Sequence, residues 1–145
     1  MLSIDEVTEY ITNRYIHVKP KSAWGETSFF YNPDNTKPNG SYFLTIKEQD
    51  GKNDKASKLN RNGIYRVSFG ITKNSFISLF HEIPKRPSKG HIIKGNYDFT
   101  SQNILMPHPI YGWMTWICVL NLTYNTLLNI TPLIDEGYAL AVNRF

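Results

Sequence analysis

Apolar positions along the chain switch between two periods, and each switch marks an element. Near the start, Ile4, Val7, Tyr10 and Ile11 recur at helical spacing. Ser3, followed three positions later by Glu6, has the form of a capping box, so a helix is predicted from Ile4 to about Tyr15. Thr27 to Tyr31 is aromatic and β-prone, and Asn32-Pro33-Asp34-Asn35 punctuates it. After a Pro38-Asn39-Gly40 turn, Ser41 to Lys47 alternates as a strand does. The run Asp50 to Asn62 is polar and charged, and reads as a long exposed loop. Gly63 then opens a strand, Ile64 to Ile71, with Tyr65, Val67, Phe69 and Ile71 on one face and Arg66 and Ser68 on the other.

The second half is read the same way. Thr72 or Lys73 starts a short helix with Phe76, Leu79 and Phe80 as its apolar stripe. Ile83 to Gly95 is rich in Lys, Pro and Gly and reads as a flexible loop, while Tyr97 to Leu105 shows no clear period. Trp113 to Asn121 is apolar at nearly every position, the mark of a central strand covered on at least one full face. Asn125 is expected to cap a short helical turn, and Thr131-Pro132 to begin the last helix as a cap followed by proline. Leu133, Ile134, Tyr138 and Ala141 would form that helix's apolar face. This order predicts an α+β fold: an antiparallel sheet with N- and C-terminal helices packed on one face.

Length and composition narrow the picture. At 145 residues, with no internal repeat or linker, the expectation is a single domain over residues 1–145. Aromatic residues reach 14%, enough for a good core in a short chain. The lone Cys118 excludes an intramolecular disulfide and lies in an apolar run, as a small core hydrophobe does. The first residues are acidic and amphipathic rather than signal-like, and no apolar run approaches the roughly 20 residues of a membrane span. A cytoplasmic protein with no membrane partner, monomeric or homodimeric, is expected.

Charge is unevenly spread: residues 1–46 carry a net −1, residues 47–94 a net +7 and residues 95–145 a net −2. A basic middle third attracts anionic partners, or merely keeps loops and a sheet edge solvated. Signatures of phosphate loops, nucleophile elbows, zinc and calcium sites are absent. Asp50-Gly51-Lys52-Asn53-Asp54 reads as a turn, His17, His81, His91 and His108 show no pairing on one helical face, and neither a metal site nor a cofactor is assigned.

Three features rise above that background. Prolines on both sides fix His108 beside Tyr111 and Trp113, which suits a pocket wall or a strand entry whose imidazole bonds a backbone carbonyl. Asp54, Ser57, Lys58, Arg61 and Arg66 place charges on a loop and then on a strand's polar face. Arg66 needs an acid there, with Asp54, Glu26 or Asp98 as the choices, either as a structural pair or as a ligand anchor. Trp24-Gly25-Glu26 leading into Phe29-Phe30-Tyr31 would either stack nucleobases or form the sheet's core face.

Several stretches together resemble a bacterial family of unknown function: WGETSFFYNP (24–33), the spacing from Asp54 through Ser57, Leu59, Arg61, Gly63, Tyr65 and Arg66 to Gly70, YDFT (97–100), PHPIYGWMTWICVLN (107–121) and EGYALA (136–141). The PHPxYGxMxW stretch is the most specific. More remotely the layout is similar to the YjbR-like superfamily. That resemblance implies a compact α+β fold of the CyaY-like double-wing kind, with DNA binding suggested for the superfamily and no enzyme activity attached. Asn121-Leu122 departs from the proline that family members often carry after that Asn.

The leading expectation is a non-enzymatic binding module for an anionic ligand, nucleic acid or a protein partner, with Lys52, Lys55, Lys58 and Arg61 supplying the electrostatics. The alternative is a small enzyme or small-molecule binder whose pocket gathers His108, Tyr111, Arg66 and Glu26, with His108 as acid or base and Arg66 as anion anchor. Asp54, Arg61 and Trp113 complete the candidate binding set. The two readings part on geometry: the second requires its side chains to meet in one concavity.

Overall fold

A computed structural model describes all residues, 1–145. Six strands form one antiparallel sheet in the order β1-β2-β3-β4-β6-β5. They are β1 (Val18–Ala23), β2 (Glu26–Tyr31), β3 (Ser41–Lys47), β4 (Arg66–Gly70), β5 (Met106–Pro107) and β6 (Trp116–Leu120), with helices α1 (Ile4–Arg14), α2 (Lys73–Phe80) and α3 (Tyr124–Arg144). The expected α+β class holds.

Each helix starts where a side chain can take an orphan amide. Ser3 and Glu6 cap α1 reciprocally, Thr72 caps α2 and Thr123 caps α3. Val7 and Ile11 of α1, Phe76 of α2, and Leu127, Ile130, Ile134 and Ala141 of α3 pack on one sheet face. That face is built from Phe29, Leu44, Ile46, Val67, Phe69, Ile117 and Val119, which the strand register sets side by side. Arg14 and Tyr15 both bond Asp135, tying α1 to α3.

A bulge in the β2–β3 pairing decides which residues face which way. Phe29 pairs with Leu44 and Phe30 with Tyr42, so Phe43 is the extra residue. Phe43 and Leu44 therefore both enter the core, while Tyr42 and Thr45 turn to the opposite face.

Several elements differ from expectation. The last helix begins at Tyr124, not at Thr131, and runs 21 residues with Pro132 inside it. Proline removes the amide that would bond the carbonyl of Leu128, but Pro132 is exposed and the buried stripe passes uninterrupted on the other side. β1 had no apolar alternation to announce it: only Val18 is buried, and Lys19 to Ala23 line an exposed edge where Pro20 costs no ladder bond. The 50–62 run folds back over the sheet instead of standing in solvent, with Ser57 and Leu59 fully buried and the Asp50 carboxylate accepting from the Leu59 amide. Trp113 and Met114 lie in a 3-10 turn before β6 rather than in the strand. The 83–95 loop is irregular but anchored by buried Ile93, whose amide donates to the Pro109 carbonyl. Leu79 is largely exposed, outside the α2 stripe.

The second sheet face is covered only in part. Leu59, Ile64, Ile93, Phe99 and Met106 close over Cys118 and Leu120, and burial pushes the Cys118 thiol up to about 12. The remainder of that face is left as a polar cleft.

Close packing of α3 on the sheet is concentrated at Gly137, where a Cβ would sit 2.6 Å from the Gly70 carbonyl oxygen. Alanine in a helix gains about 1 kcal/mol over glycine, whereas forcing an atom into a packed interface costs about 1–3 kcal/mol. Gly137→Ala is therefore expected to lower stability by about 1 kcal/mol in urea unfolding; an unchanged midpoint would mean that α3 lifts freely from β4.

Candidate functional site

Arg66 opens β4 on the face away from the helices, and only 2% of it is exposed. A guanidinium cannot be buried there without a counter-charge, and of the three acids expected as choices the structure selects Asp54. Nη1 donates to Asp54 Oδ1 at 2.9 Å and to Ser57 Oγ at 3.0 Å, while Nη2 donates to Asp54 Oδ2. Asp54 reaches this position because Gly51 and Asp54 exchange backbone hydrogen bonds across a tight turn. Burial raises the Asp54 carboxyl, but the hydrogen bonds and charge of Arg66 outweigh it and hold the group below the usual carboxylate range. Glu26 pairs instead with Lys47 at 3.3 Å, and Asp98 caps its own turn through Thr100.

His108 follows β5 and is 3% exposed. Its amide donates to the Trp116 carbonyl, which continues the ladder and keeps the ring on the cleft side. The ring is not satisfied by a backbone carbonyl, the arrangement expected for a strand entry. Nδ1 instead accepts from two amides, Ile110 at 3.0 Å and Tyr111 at 3.1 Å. Two N–H groups aimed at Nδ1 put the ring proton on Nε2. Burial, reinforced by the positive charges of Arg66 and Lys47 against Asp54, holds the imidazole well below 6.5. His108 is thus a neutral Nε2–H donor at neutral pH, not a base waiting for a proton.

Glu26, Asp54, Arg66, His108 and Tyr111, drawn from four separate stretches of sequence, line one cleft of about 630 Å³ on the open sheet face. Tyr111 tilts over His108 with ring centroids 5.0 Å apart. Tyr42, Thr45, Lys47, Ser68, Met114 and Trp116 also line the cleft and were absent from the sequence-derived set. Ser68 carried a signal, alternation with Arg66 on the polar face of its strand; Tyr42 carried none, because the bulge changes its face. Trp116 lies against Tyr42 at 5.6 Å, and Gly70 makes room for it, since a Cβ there would come 3.0 Å from the indole Nε1.

The other candidates lie outside this cleft. Trp113 sits with the Arg86 guanidinium 4.6 Å from its ring centroid. Arg61 donates to the carbonyls of Lys58, Ser57 and Thr100, binding two loops together. Of the four basic side chains read as an electrostatic patch, only Lys52 lines the cleft, and Lys55 and Lys58 stand in solvent. The Trp24-to-Tyr31 aromatics form no platform: Trp24 is 92% exposed at the β1–β2 turn and Phe29 is in the core. No three His, Cys, Asp or Glu side chains are placed to hold a metal, and no helix is long and apolar enough to cross a membrane.

Two buried polar atoms at the cleft, Arg66 Nε and Ser68 Oγ, have no partner within the protein. Native proteins leave few such groups unpaired, so the residues that line this cleft hold unmet hydrogen-bonding capacity. It is donor capacity: a guanidinium N–H, a hydroxyl and the Nε2–H of His108. Aromatic rings stand beside them.

The central pair sets the stability of this region. Asp54→Ala strands a buried guanidinium and is expected to cost about 3 kcal/mol in denaturant unfolding, with most of that recovered when Arg66→Met is added. The sign of the His108 effect also follows. Its folded pKa lies below the unfolded value, so its contribution is complete above about pH 6.5 and is lost as pH falls toward the folded pKa. Urea unfolding at pH 7 and pH 5.5 should therefore show a loss of about 1 kcal/mol that His108→Asn removes, because asparagine keeps an acceptor for the two amides and does not titrate.

Comparison with known proteins adds a family and little else. No curated protein matches the chain. A crystal structure of a protein from Pseudomonas syringae aligns with 97% of this chain and 99% of its own, at 18% identity and a TM-score of 0.49. A likeness at that level carries no functional argument. The model of a family of unknown function, DUF6194, matches residues 2–145, and the chain belongs to that family.

Proposed function

We propose that this chain is a non-enzymatic binding module whose cleft takes a small molecule bearing hydrogen-bond acceptors. The observation that carries this reading is the pair of unpartnered buried groups on two residues that line the cleft, Arg66 Nε and Ser68 Oγ. A structural ion pair alone would need only the Asp54 end of the guanidinium. The sequence also spends Ser68, the His108 donor and three aromatic rings around the same concavity. Clefts of this size that combine aromatic rings with convergent polar groups suit small ligands.

Catalysis is not part of the proposal. His108 holds its proton on Nε2 and uses Nδ1 for the chain turn, while Asp54 and Glu26 are both engaged by cations. No free base faces the ligand position. A nucleic-acid surface is the weaker reading, since Arg61 is consumed by carbonyls and the aromatics it would pair with are divided between core and turn. The anionic preference expected from the basic middle third is kept, relocated from the loop to the cleft. The YjbR-like resemblance implies a fold and supports no ligand.

A survey of chemically diverse fragments against the ¹⁵N-labelled protein tests this. Binders should shift the amides of Ser68, Ile110 and Tyr111 and the Trp116 indole N–H. Shifts confined to Lys55, Lys58 and the 83–95 loop, or binding of a short DNA duplex there at low salt, would overturn the cleft reading in favour of the surface one.

A further inference from the structure

Resting on that cleft reading, we infer that the ligand is a planar monocarboxylate, a small aromatic or conjugated acid rather than a phosphate or a neutral amide. Hydrogen-bond polarity favours such an acid. Arg66 Nε–H and His108 Nε2–H can only donate, and Ser68 Oγ–H donates equally well. All three belong to residues that line the cleft, and the Arg66 and Ser68 atoms are fully buried without a partner. A ligand that satisfies them presents acceptor oxygens, and one that presents N–H groups leaves them orphaned. Orphaned buried donors cost more than a made hydrogen bond gains, so the rejection of the wrong polarity is the stronger half of the selectivity.

Charge favours a single anionic group. Around the cleft stand three cations, Arg66, Lys47 and Lys52, and two anions, Asp54 and Glu26. Arg66 is held by Asp54 and Lys47 by Glu26. His108 is neutral, which leaves one positive charge, on Lys52 at the exposed mouth. One negative charge balances that set. A phosphate monoester brings nearly two at neutral pH, and its second charge would sit beside Asp54 and Glu26 with nothing to offset it. A carboxylate also matches the flat edge of a guanidinium better than a tetrahedral group.

The shape of the cleft favours a flat molecule. Tyr42 and Trp116 lie ring to ring at 5.6 Å with a tilt of 33°, and Tyr111 lines the same cleft from the His108 side, 48% exposed. Aromatic rings beside polar groups accept a flat apolar body whose acid turns to the donors. Ile110 and Met114 add apolar lining. A volume of about 630 Å³ takes one or two fused rings, not a polymer.

The test uses the full chain and four probes of related shape: benzoate, indole-3-carboxylate, benzamide and phenyl phosphate. Each is titrated at pH 7 and followed by amide shifts and by tryptophan fluorescence. The two carboxylates should bind at least tenfold more tightly than benzamide or phenyl phosphate, and should shift Ser68, Tyr111 and the Trp116 indole N–H. Ser68→Ala and His108→Asn should each weaken the carboxylates about tenfold, the worth of a hydrogen bond to a charged group, and change benzamide binding little. Ser68→Ala removes one oxygen from a packed strand, so it serves alone if His108→Asn does not fold.

Equal or tighter binding of benzamide or phenyl phosphate at those same residues overturns the carboxylate assignment and leaves the cleft as a small-molecule site. Carboxylate shifts confined to residues outside the cleft, or no shift by any probe, also overturn it. Silence from the wider fragment survey would then remove the cleft reading as well.

Discussion

A guanidinium buried to 2% exposure on the open face of a sheet is the constraint from which much of this molecule follows. Arg66 cannot leave water alone, so a carboxylate must come to it. The only way to bring Asp54 there is to fold the 50–62 run back across the strands. That run then carries Ser57 to a second Nη1 hydrogen bond and Leu59 into the small apolar cluster over Cys118 and Leu120. Charge neutralisation, loop packing and the cleft wall are one event. Such a pair is weak evidence for stability in itself, since desolvation offsets most of the attraction, but it specifies where a loop must sit.

The cleft is the place left over when that cover stops. One half of the second sheet face is sealed by apolar side chains from the loops, and the other half keeps Thr45, Lys47, Ser68 and His108. Alternate residues of a strand share a face, and on this face β4 gives Arg66 and Ser68 to the cleft while β6 gives Trp116 to the cleft and Cys118 and Leu120 to the sealed cluster. Ser68 and Cys118 are direct partners in the ladder, the first at the cleft and the second in the sealed cluster. The boundary between wet and dry therefore runs between neighbouring strands.

What could be read from the chain follows from where its information is local. The alternation of Tyr65, Val67, Phe69 and Ile71 against Arg66 and Ser68 placed β4 and both of its faces, and caps at Ser3 and Thr72 placed two helices. The need of Arg66 for an acid was legible, and Asp54 was among the choices. Lost were elements whose signal is absent or misleading in isolation. β1 buries one side chain, so periodicity is silent. Pro132 looks like a helix start and sits mid-helix, because the deciding fact is which side of α3 faces the sheet. Trp113 and Trp116 are three residues apart in one apolar run, and only the 3-10 turn between strand and loop decides which one reaches the cleft. His108 was legible as a fixed ring, but its tautomer depends on two amides that turn back toward it. In each miss the missing quantity was a direction in space.

The bulge at Phe43 has a consequence for how this protein can vary. Because one extra residue breaks the two-residue alternation of β3, the core and the cleft are written in different positions: Phe43 and Leu44 answer to the helices, Tyr42 and Thr45 to the cleft. Substitutions at the second pair leave the first untouched, so the cleft lining can drift between relatives while the interior stays the same. A deletion of a single residue there is another matter. It would restore the alternation with Tyr42, Leu44 and Thr45 on the faces they already hold, but at the loss of the Phe43 ring from the core under the helices. Within this strand, side chains are free to change and length is not.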